Sequence, residues 1–170
     1  MAKKKQVKAK SGFVARKKAE GEESRVAIPK LPRAFSVADN FTEGGPGPFS
    51  FVDDDLGRFY GKAVPPRSGY ALISRTLAED MDDKGARAIL SGAGATDLAA
   101  ISHLISLQPN GGKAGALSVK KGEANCFLLP GGRAEAVWEG NGWGLWTFKG
   151  KLSDHLKWPK GTRFFCRPRA

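Results

Sequence analysis

The sequence predicts a mainly β protein, an antiparallel sandwich or small barrel with one or two short helices, preceded by a basic N-terminal segment. Between residues 114 and 148, short runs of alternating apolar and polar residues are separated by glycine turns, at the spacing typical of such folds. The first eighteen residues, in contrast, contain eight Lys or Arg and no acid, a composition that cannot bury a core. The rest of the chain is long enough for one ordinary domain.

The net charge of +11 is confined to the two ends of the chain. Residues 1–24 hold eight bases and three acids, residues 149–170 hold seven bases and one acid, and residues 25–148 hold thirteen of each. Because net charge governs association rather than fold, these ends indicate a polyanionic or acidic partner. The bases predicted to make this contact are Lys3, Lys4, Lys5, Lys8, Lys10, Arg16, Lys17, Lys18, Lys157, Lys160, Arg163, Arg167 and Arg169.

The chain divides into three parts. Residues 1–24 form a basic N-terminal arm, expected to be disordered until it meets a partner. Residues 25–48 form an extended Pro/Gly-rich strap or edge strand, because prolines force extended backbone before them and cannot donate ladder hydrogen bonds. Residues 49–170 form a β-rich body that ends in a basic segment. No run is apolar enough to span or lie on a membrane, so no membrane contact is expected.

The first half of the body gives mixed signals. An acidic turn precedes a predicted strand at residues 58–64, RFYGKAV. Residues 70–79 fit either a strand or the start of a helix. Residues 86–107 read as a strand, a glycine turn and a helix capped by Thr96 or Asp97, or alternatively as a strand at ISHLISL.

The second half of the body is clearer. Residues 114–148 predict four strands, AGALSV, NCFLLP, AEAVWE and WGLWTF, joined by glycine turns. The last turn, at residues 139–142, has the Gly and Asn-Gly residues that supply the positive φ values of tight hairpins. Trp138 and Trp143 flank this turn and Trp146 follows, so we expect these aromatic side chains to hold the hairpin and to serve in assembly.

The run LLPGGRAEAVWEGNGWGLW, residues 128–146, resembles a pattern that closes small β-domains in bacteriophage and other viral virion proteins, such as head decoration proteins, fibres and spikes. In that pattern an apolar strand ending in Pro-Gly precedes a strand, a Gly-x-Gly-Trp hairpin and a final apolar strand. The resemblance implies a non-enzymatic, commonly trimeric domain that belongs to a virion assembled in the host cytoplasm. It also implies the major capsid protein or other virion subunits as partners.

Few residues are suited to catalysis, so neither an enzyme nor a cofactor is predicted. His103 and His155 are the two histidines. Neither accompanies a nucleophile motif, and His103 lies in an apolar run typical of a core residue. Cys126 and Cys166 have no metal-binding spacing and are expected to be reduced structural thiols. The glycine-rich residues 91–97 lack the third glycine of a dinucleotide-binding motif and are predicted to form a turn.

Two other features of the sequence have side chains of the types that bind ligands. The acidic clusters at residues 53–55 and 79–83 offer carboxylate oxygens but not the spacing of a calcium loop, so no metal is predicted and solvated loops are expected. The C-terminal segment mixes bases with Trp158, Phe164 and Phe165, which suits stacking on nucleic-acid bases. The two phenylalanines equally fit a last strand of the body.

Together these observations favour a non-enzymatic structural component of a viral particle, a capsid decoration, cement or minor capsid protein. Its β-domain is expected to form a homo-oligomer, with a trimer favoured, while the arm contacts neighbouring subunits or the genome. The alternative is a ribosomal or other RNA- or DNA-binding packaging protein that uses its basic termini on phosphates. No sequence-specific recognition motif is present, so any nucleic-acid binding is expected to be non-specific.

Overall fold

The structure, a computed structural model, describes residues 22–42, 48–150 and 157–168. Most of the predicted arm, together with His155 and Arg169, lies outside these ranges. The described strands are β1 (Glu23–Ile28), β2 (Phe49–Val52), β3 (Tyr70–Thr76), β4 (Met81–Asp82), β5 (Asn125–Leu129), β6 (Gly132–Trp138), β7 (Trp143–Lys149), β8 (Lys157–Trp158) and β9 (Arg163–Cys166). The described helices are α1 (Val37–Asn40), α2 (Asp55–Tyr60), α3 (Asp83–Leu90) and α4 (Leu98–Ser106).

Seven strands form one mixed sheet in the order β1-β3-β9-β5-β6-β7-β2, which confirms the predicted mainly β class. Neighbouring strands are antiparallel except at β9–β5 and β7–β2, which are parallel. Strands β4 and β8 form a separate two-stranded sheet. The parallel pairs join strands that are remote in sequence, since a tight hairpin can connect only antiparallel neighbours.

Helices cover the seven-stranded sheet on both sides. Successive side chains of a strand face opposite sides, so the apolar residues divide into two buried clusters. The larger cluster joins α4 to one face of the sheet and includes Leu72, Ile101, Phe127, Leu145 and Phe165. The smaller cluster joins α3 and Trp158 to the other face and includes Ile73, Cys126, Phe164 and Cys166.

The edge strand β1 and the strands of the β5–β6–β7 meander form where the sequence predicts strands. Phe164 and Phe165 are buried in β9, which is one of the two interpretations that the sequence leaves open. The ambiguous residues 70–79 contain β3, and the predicted helix after Asp97 is α4. Asp97 caps α4, because its side chain accepts a hydrogen bond from the backbone amide of Ala100 at 2.9 Å.

Two predicted strands are wrong because acidic side chains start helices there. At residues 58–64, α2 occupies the first positions, and the Asp53 carboxylate accepts a hydrogen bond from the Asp55 amide at 3.0 Å where α2 begins. At residues 86–90, α3 replaces the strand, and the Asp82 side chain accepts from the Gly85 amide at 2.8 Å. The Asp82 cap of α3 and the Asp53 hydrogen bond before α2 therefore outweigh the short apolar runs that follow.

The predicted strand AGALSV is also wrong: residues 114–119 form an irregular loop. Two buried amide side chains make the hydrogen bonds to this backbone that a neighbouring strand would otherwise make. Gln108 accepts from the backbone amide of Leu117 at 2.8 Å, and Asn125 accepts from that of Ser118 at 2.7 Å. These bonds satisfy the buried backbone without a sheet ladder.

Candidate functional site

The turn between β5 and β6 is the centre of the candidate site. Gly131 has a φ of +75°, a conformation that favours glycine. At Gly132 a Cβ atom would clash with the Phe148 carbonyl oxygen and the Tyr60 hydroxyl. The Gly150 amide donates to the Gly131 carbonyl at 2.8 Å, which ties the end of β7 to the turn. The glycines thus allow the backbone to pack closely and leave open space on either side.

Two clefts flank this turn, and Leu129 and Pro130 line both. The first cleft has a volume of about 600 Å³ and lies between the turn and the C-terminal end of α3. The second cleft has a volume of about 660 Å³ and lies between the turn, α2 and the following loop at residues 61–65. Both volumes are in the range of small-molecule sites.

Cations outnumber acids among the described residues that line these clefts. Arg87 and Arg133 line the first cleft together with no acid. Arg58 and Lys62 line the second cleft together with one acid, Asp97. These cations are partly compensated within the fold, because Arg133 is ion-paired with Glu135 at 2.7 Å and Arg58 with Asp55 at 3.6 Å.

Asp97 is already neutralised by two arginines. Its carboxylate accepts from Arg67 at 2.6 and 3.1 Å, from Arg167 at 3.2 Å and from the Tyr70 hydroxyl at 3.0 Å. The two guanidinium groups lie 4.6 and 3.8 Å from the centre of the Tyr70 ring. The acid of the second cleft is therefore a structural counterion.

The charge states in this network follow from burial and hydrogen bonding. Burial raises the pKa of Asp97, but the hydrogen bonds from Arg67 and the Ala100 amide outweigh it, so the pKa lies below its ordinary value. Burial raises the pKa of the Tyr70 hydroxyl. At neutral pH Asp97 is thus ionised, and Tyr70 is neutral and donates its proton to the carboxylate.

Arg133 is a buried cation in the wall of the first cleft, with 6% of its surface exposed. Its Nε donates to Glu135 at 2.7 Å. The guanidinium carbon lies 4.0 Å from the centre of the Phe148 ring and 5.4 Å from that of Trp158. Contacts with the two rings and the carboxylate hold this cation in place.

The described basic C-terminal residues that are predicted to contact a partner fall into two groups, exposed lysines and arginines with partners inside the fold. Lys157 and Lys160 are exposed. Arg163 donates to the Ala116 carbonyl and Arg167 pairs with Asp97, so both have partners within the fold. Lys3, Lys4, Lys5, Lys8, Lys10, Arg16, Lys17, Lys18 and Arg169 lie outside the described residues.

The three tryptophans of the hairpin divide between the two faces of the sheet. Trp138 and Trp143 form an edge-to-face pair with ring centres 5.5 Å apart. The Trp143 indole is fully buried and donates to the Gln108 carbonyl at 2.8 Å. Trp146 is half-buried on the other face, with its ring centre 5.2 Å from that of Phe51.

His103 is not the core residue that its apolar surroundings predict. It is half-buried at the edge of α4 and lines a small cleft with Lys30 and Arg67. Burial and the nearby Arg67 lower its pKa, which favours the neutral imidazole. Cys126 and Cys166 are free and buried, and burial raises the pKa of both thiols.

Comparisons with known proteins give no match to the chain among family models, curated sequences or solved structures. Within residues 22–42, 48–150 and 157–168, no three His, Cys, Asp or Glu side chains are grouped to hold a metal ion. None of the helices in the same ranges is long and apolar enough to cross a membrane.

Most of the cleft residues carry no sequence signal. Arg67, Tyr70 and Arg167, which hydrogen-bond to Asp97 in the wall of the second cleft, lie in segments without a recognisable motif, and the fold brings them together from separate parts of the chain. Asp97 is the exception, because an acid at the start of an apolar helical run predicts an N-cap. The sequence thus predicts its local role but not its ion pairs.

Proposed function

We propose that this protein is a non-enzymatic structural component of a nucleic-acid-containing particle. A viral particle is the case implied by the resemblance of residues 128–146 to virion β-domains. In this proposal the β body anchors the protein, and the basic arm binds the phosphate backbone of the nucleic acid or an acidic neighbour.

The observation that carries the proposal is how the basic segment joins the body. Residues 1–21 contain eight bases and one acid and continue directly into β1, at the outer edge of the sheet. The Glu22 carbonyl accepts a hydrogen bond from the Thr76 amide at 3.0 Å, and β1 pairs with β3 from Glu23 to Ile28. A segment of this length can reach at most about 70 Å from its anchor.

The charge of the body supports a role for the arm. Residues 1–21 carry a net charge of +7 out of +11, whereas the described residues hold eighteen bases and fourteen acids. Taken by segment, the arm (residues 1–24) carries +5 and residues 149–170 carry +6, so long-range attraction to a polyanion comes from both ends of the chain.

A homo-oligomer, with a trimer favoured, is part of the proposal. Among the described strands, β1 and β2 lie at the two edges of the seven-stranded sheet and each pairs with one neighbour. Unpaired strand edges are available for contact with another chain. Assembly through the body would then leave the arm to contact nucleic acid.

The experiment is a binding titration of the full chain with a fluorescently labelled oligothymidylate at several salt concentrations. The arm variant carries Lys3→Gln, Lys4→Gln, Lys5→Gln and Lys8→Gln. The control variant carries Lys84→Gln, Lys113→Gln, Lys120→Gln and Lys121→Gln, four exposed lysines of the body. Both variants lose the same charge, so the comparison isolates the position of the charge.

The arm variant should bind more weakly and with a smaller dependence on salt. Each phosphate contact contributes about 0.7 to the slope of log affinity against log salt for single strands, so four lost contacts reduce the slope by about 3. The control should keep most of the unmodified slope. Equal losses in the two variants, or no binding by the unmodified chain at low salt, would contradict nucleic-acid binding by the arm and leave an acidic neighbour as its partner.

A further inference from the structure

We propose that β1 joins two copies of this chain, whose β1 strands pair antiparallel across a two-fold axis that passes beside Ser24. This inference rests on the proposed function, because it names one contact of the proposed homo-oligomer. A two-fold contact joins chains in pairs. A trimer formed through another surface would therefore be joined to a second trimer.

The outer edge of β1 has backbone groups that can pair with another strand. The Thr76 amide donates to the Glu22 carbonyl at 3.0 Å, which makes Glu22 and Thr76 a hydrogen-bonded pair of the β1–β3 ladder. Because hydrogen-bonded and non-hydrogen-bonded pairs alternate along antiparallel strands, the backbone groups of Glu23, Arg25 and Ala27 point away from β3. All three residues are exposed, and no described strand pairs with this edge.

β1 lacks the features that usually keep edge strands apart. Natural edge strands are often short, bulged or interrupted by Lys or Pro. The six residues of β1 include neither Lys nor Pro, and their register with β3 is continuous from Glu23 to Ile28. The opposite edge strand, β2, has four residues and a register shift between Phe49 and Phe51. An added strand is therefore expected at β1 rather than at β2.

The charges of β1 fit a second copy of β1. When Ser24 lies opposite Ser24 of the second copy, Glu23 lies opposite Arg25 of the second copy, and opposite charges on directly opposed residues stabilise a strand pair. Arg25 is exposed and has no ion-pair partner among the described residues. Glu23 contacts Arg75 through Oε2 at 3.1 Å, but its side chain is 45% exposed, so a second guanidinium can reach the carboxylate from solvent.

The register follows from the same charges and from the backbone. In the proposed register Glu23 and Arg25, whose backbone groups point outward, form the hydrogen-bonded pairs on either side of Ser24. A shift of one residue would place Arg25 opposite Arg25 of the second copy, and like charges directly opposed destabilise a strand pair.

The test is disulfide cross-linking of the full chain with Ser24→Cys. A non-hydrogen-bonded pair on the axis has Cα atoms about 4.5 Å apart, which a disulfide can span. Mild oxidation should form a covalent dimer at least about tenfold faster than in the control Ser106→Cys, an exposed serine of α4, because thiols held in one complex have a high effective concentration. The native Cys126 and Cys166 are buried, so they do not compete.

Two substitutions of Arg25 test the register. Added to Ser24→Cys, Arg25→Glu should slow cross-linking about tenfold, since two symmetry-related pairs change from attraction to repulsion, whereas Arg25→Lys should keep the rate. Circular dichroism checks the fold of each variant. Equal rates with Glu and Lys, or faster cross-linking of a single Arg25→Cys variant than of Ser24→Cys, would overturn the register.

Light scattering of the unmodified chain separates this inference from the proposed function. An oligomer whose Ser24→Cys variant cross-links no faster than Ser106→Cys would overturn the β1 contact and leave the proposed oligomer in place. A chain that cross-links through Ser24→Cys but does not bind oligothymidylate would support the β1 contact and contradict nucleic-acid binding alone. A monomer would overturn both the contact and the oligomer.

Discussion

At the scale of single residues, the Asp97 carboxylate connects three parts of the chain. It accepts hydrogen bonds from Arg67 and Arg167 and also caps α4. The Asp97 side chain is only 14% exposed. The two guanidinium groups that contact it therefore depend on this carboxylate for neutralisation. Its removal would leave one helix without its cap and two cations without their shared counterion.

We expect Asp97→Ala to lower the free energy of unfolding by about 2–4 kcal/mol, the combined effect of a lost cap and a broken, partly buried ion pair. Urea unfolding followed by circular dichroism measures this change. The matched control is Asp54→Ala, since Asp54 also precedes a helix but its side chain makes no capping hydrogen bond. A similar loss in both variants would show that the network does not stabilise the fold.

The same network predicts an acid dependence of stability. The pKa of Asp97 is lowered because hydrogen bonds outweigh burial, and the pKa of Asp53 is lowered in the same way by hydrogen bonds from Thr147 and Asp55. A carboxyl whose pKa is lower in the folded state stabilises the protein above its ordinary pKa. That contribution is lost as the pH falls through the folded value.

Unfolding in urea at neutral pH and at a series of values below about pH 4 tests this dependence. The unmodified protein should lose stability as the pH falls, and Asp97→Asn should lose less over the same interval because it lacks one of the titrating groups. Parallel curves for the two proteins would rule out Asp97 as a source of the acid sensitivity.

At the scale of elements, the β5–β6 turn depends on Gly132, because the backbone of β7 packs closely against this residue. A Cβ atom at Gly132 would clash with the Phe148 carbonyl oxygen, and the Tyr60 hydroxyl lies on the same side. Neither group can move freely, since Phe148 belongs to β7 and Tyr60 ends α2. The contact between α2 and the end of the sheet therefore requires glycine at this position.

We expect Gly132→Ala to destabilise the protein by about 1–3 kcal/mol, the usual cost of overpacking. Gly112→Ala is the control, because a Cβ atom at Gly112 meets no atom within 4 Å. Thermal unfolding should show a clearly lower midpoint for Gly132→Ala and little change for Gly112→Ala. An unchanged midpoint for Gly132→Ala would mean that α2 moves away from the turn without cost.

The strands predicted correctly are those encoded by local signals. Strands β5, β6 and β7 follow one another through glycine turns, so alternation and turn residues suffice to locate them. The helices α2 and α3 are missed because the acids that begin them, near residues 53 and 82, also fit turns. Residues 114–119 are mispredicted because their partners are the side chains of Gln108 and Asn125, which no local pattern reveals.

The candidate site is harder to predict from sequence than the fold. Arg67, Asp97 and Arg167 belong to three separate segments that meet only when β9 inserts between β3 and β5. The parallel pairing of β9 with β5 has no signal in either strand. The clefts exist because glycines and alanines leave space there, and small residues alone do not indicate a site.

At the scale of the whole molecule, the proposal assigns different contacts to the body and to the basic arm. Salt should weaken contacts of the arm with phosphates, because binding releases condensed counterions. Salt should not weaken association of the bodies through apolar surface. Salts that are excluded from the protein surface strengthen such association. The two kinds of contact can therefore be distinguished in a single preparation.

The most direct test is the mass of the purified full chain by light scattering, measured together with its nucleic-acid absorbance at low and high salt. We predict a trimer or larger oligomer that carries nucleic acid at low salt, releases it at high salt and keeps its protein mass. A monomer with salt-labile nucleic acid would contradict the structural role and favour an RNA- or DNA-packaging protein. A monomer free of nucleic acid at low salt would contradict the central claim altogether.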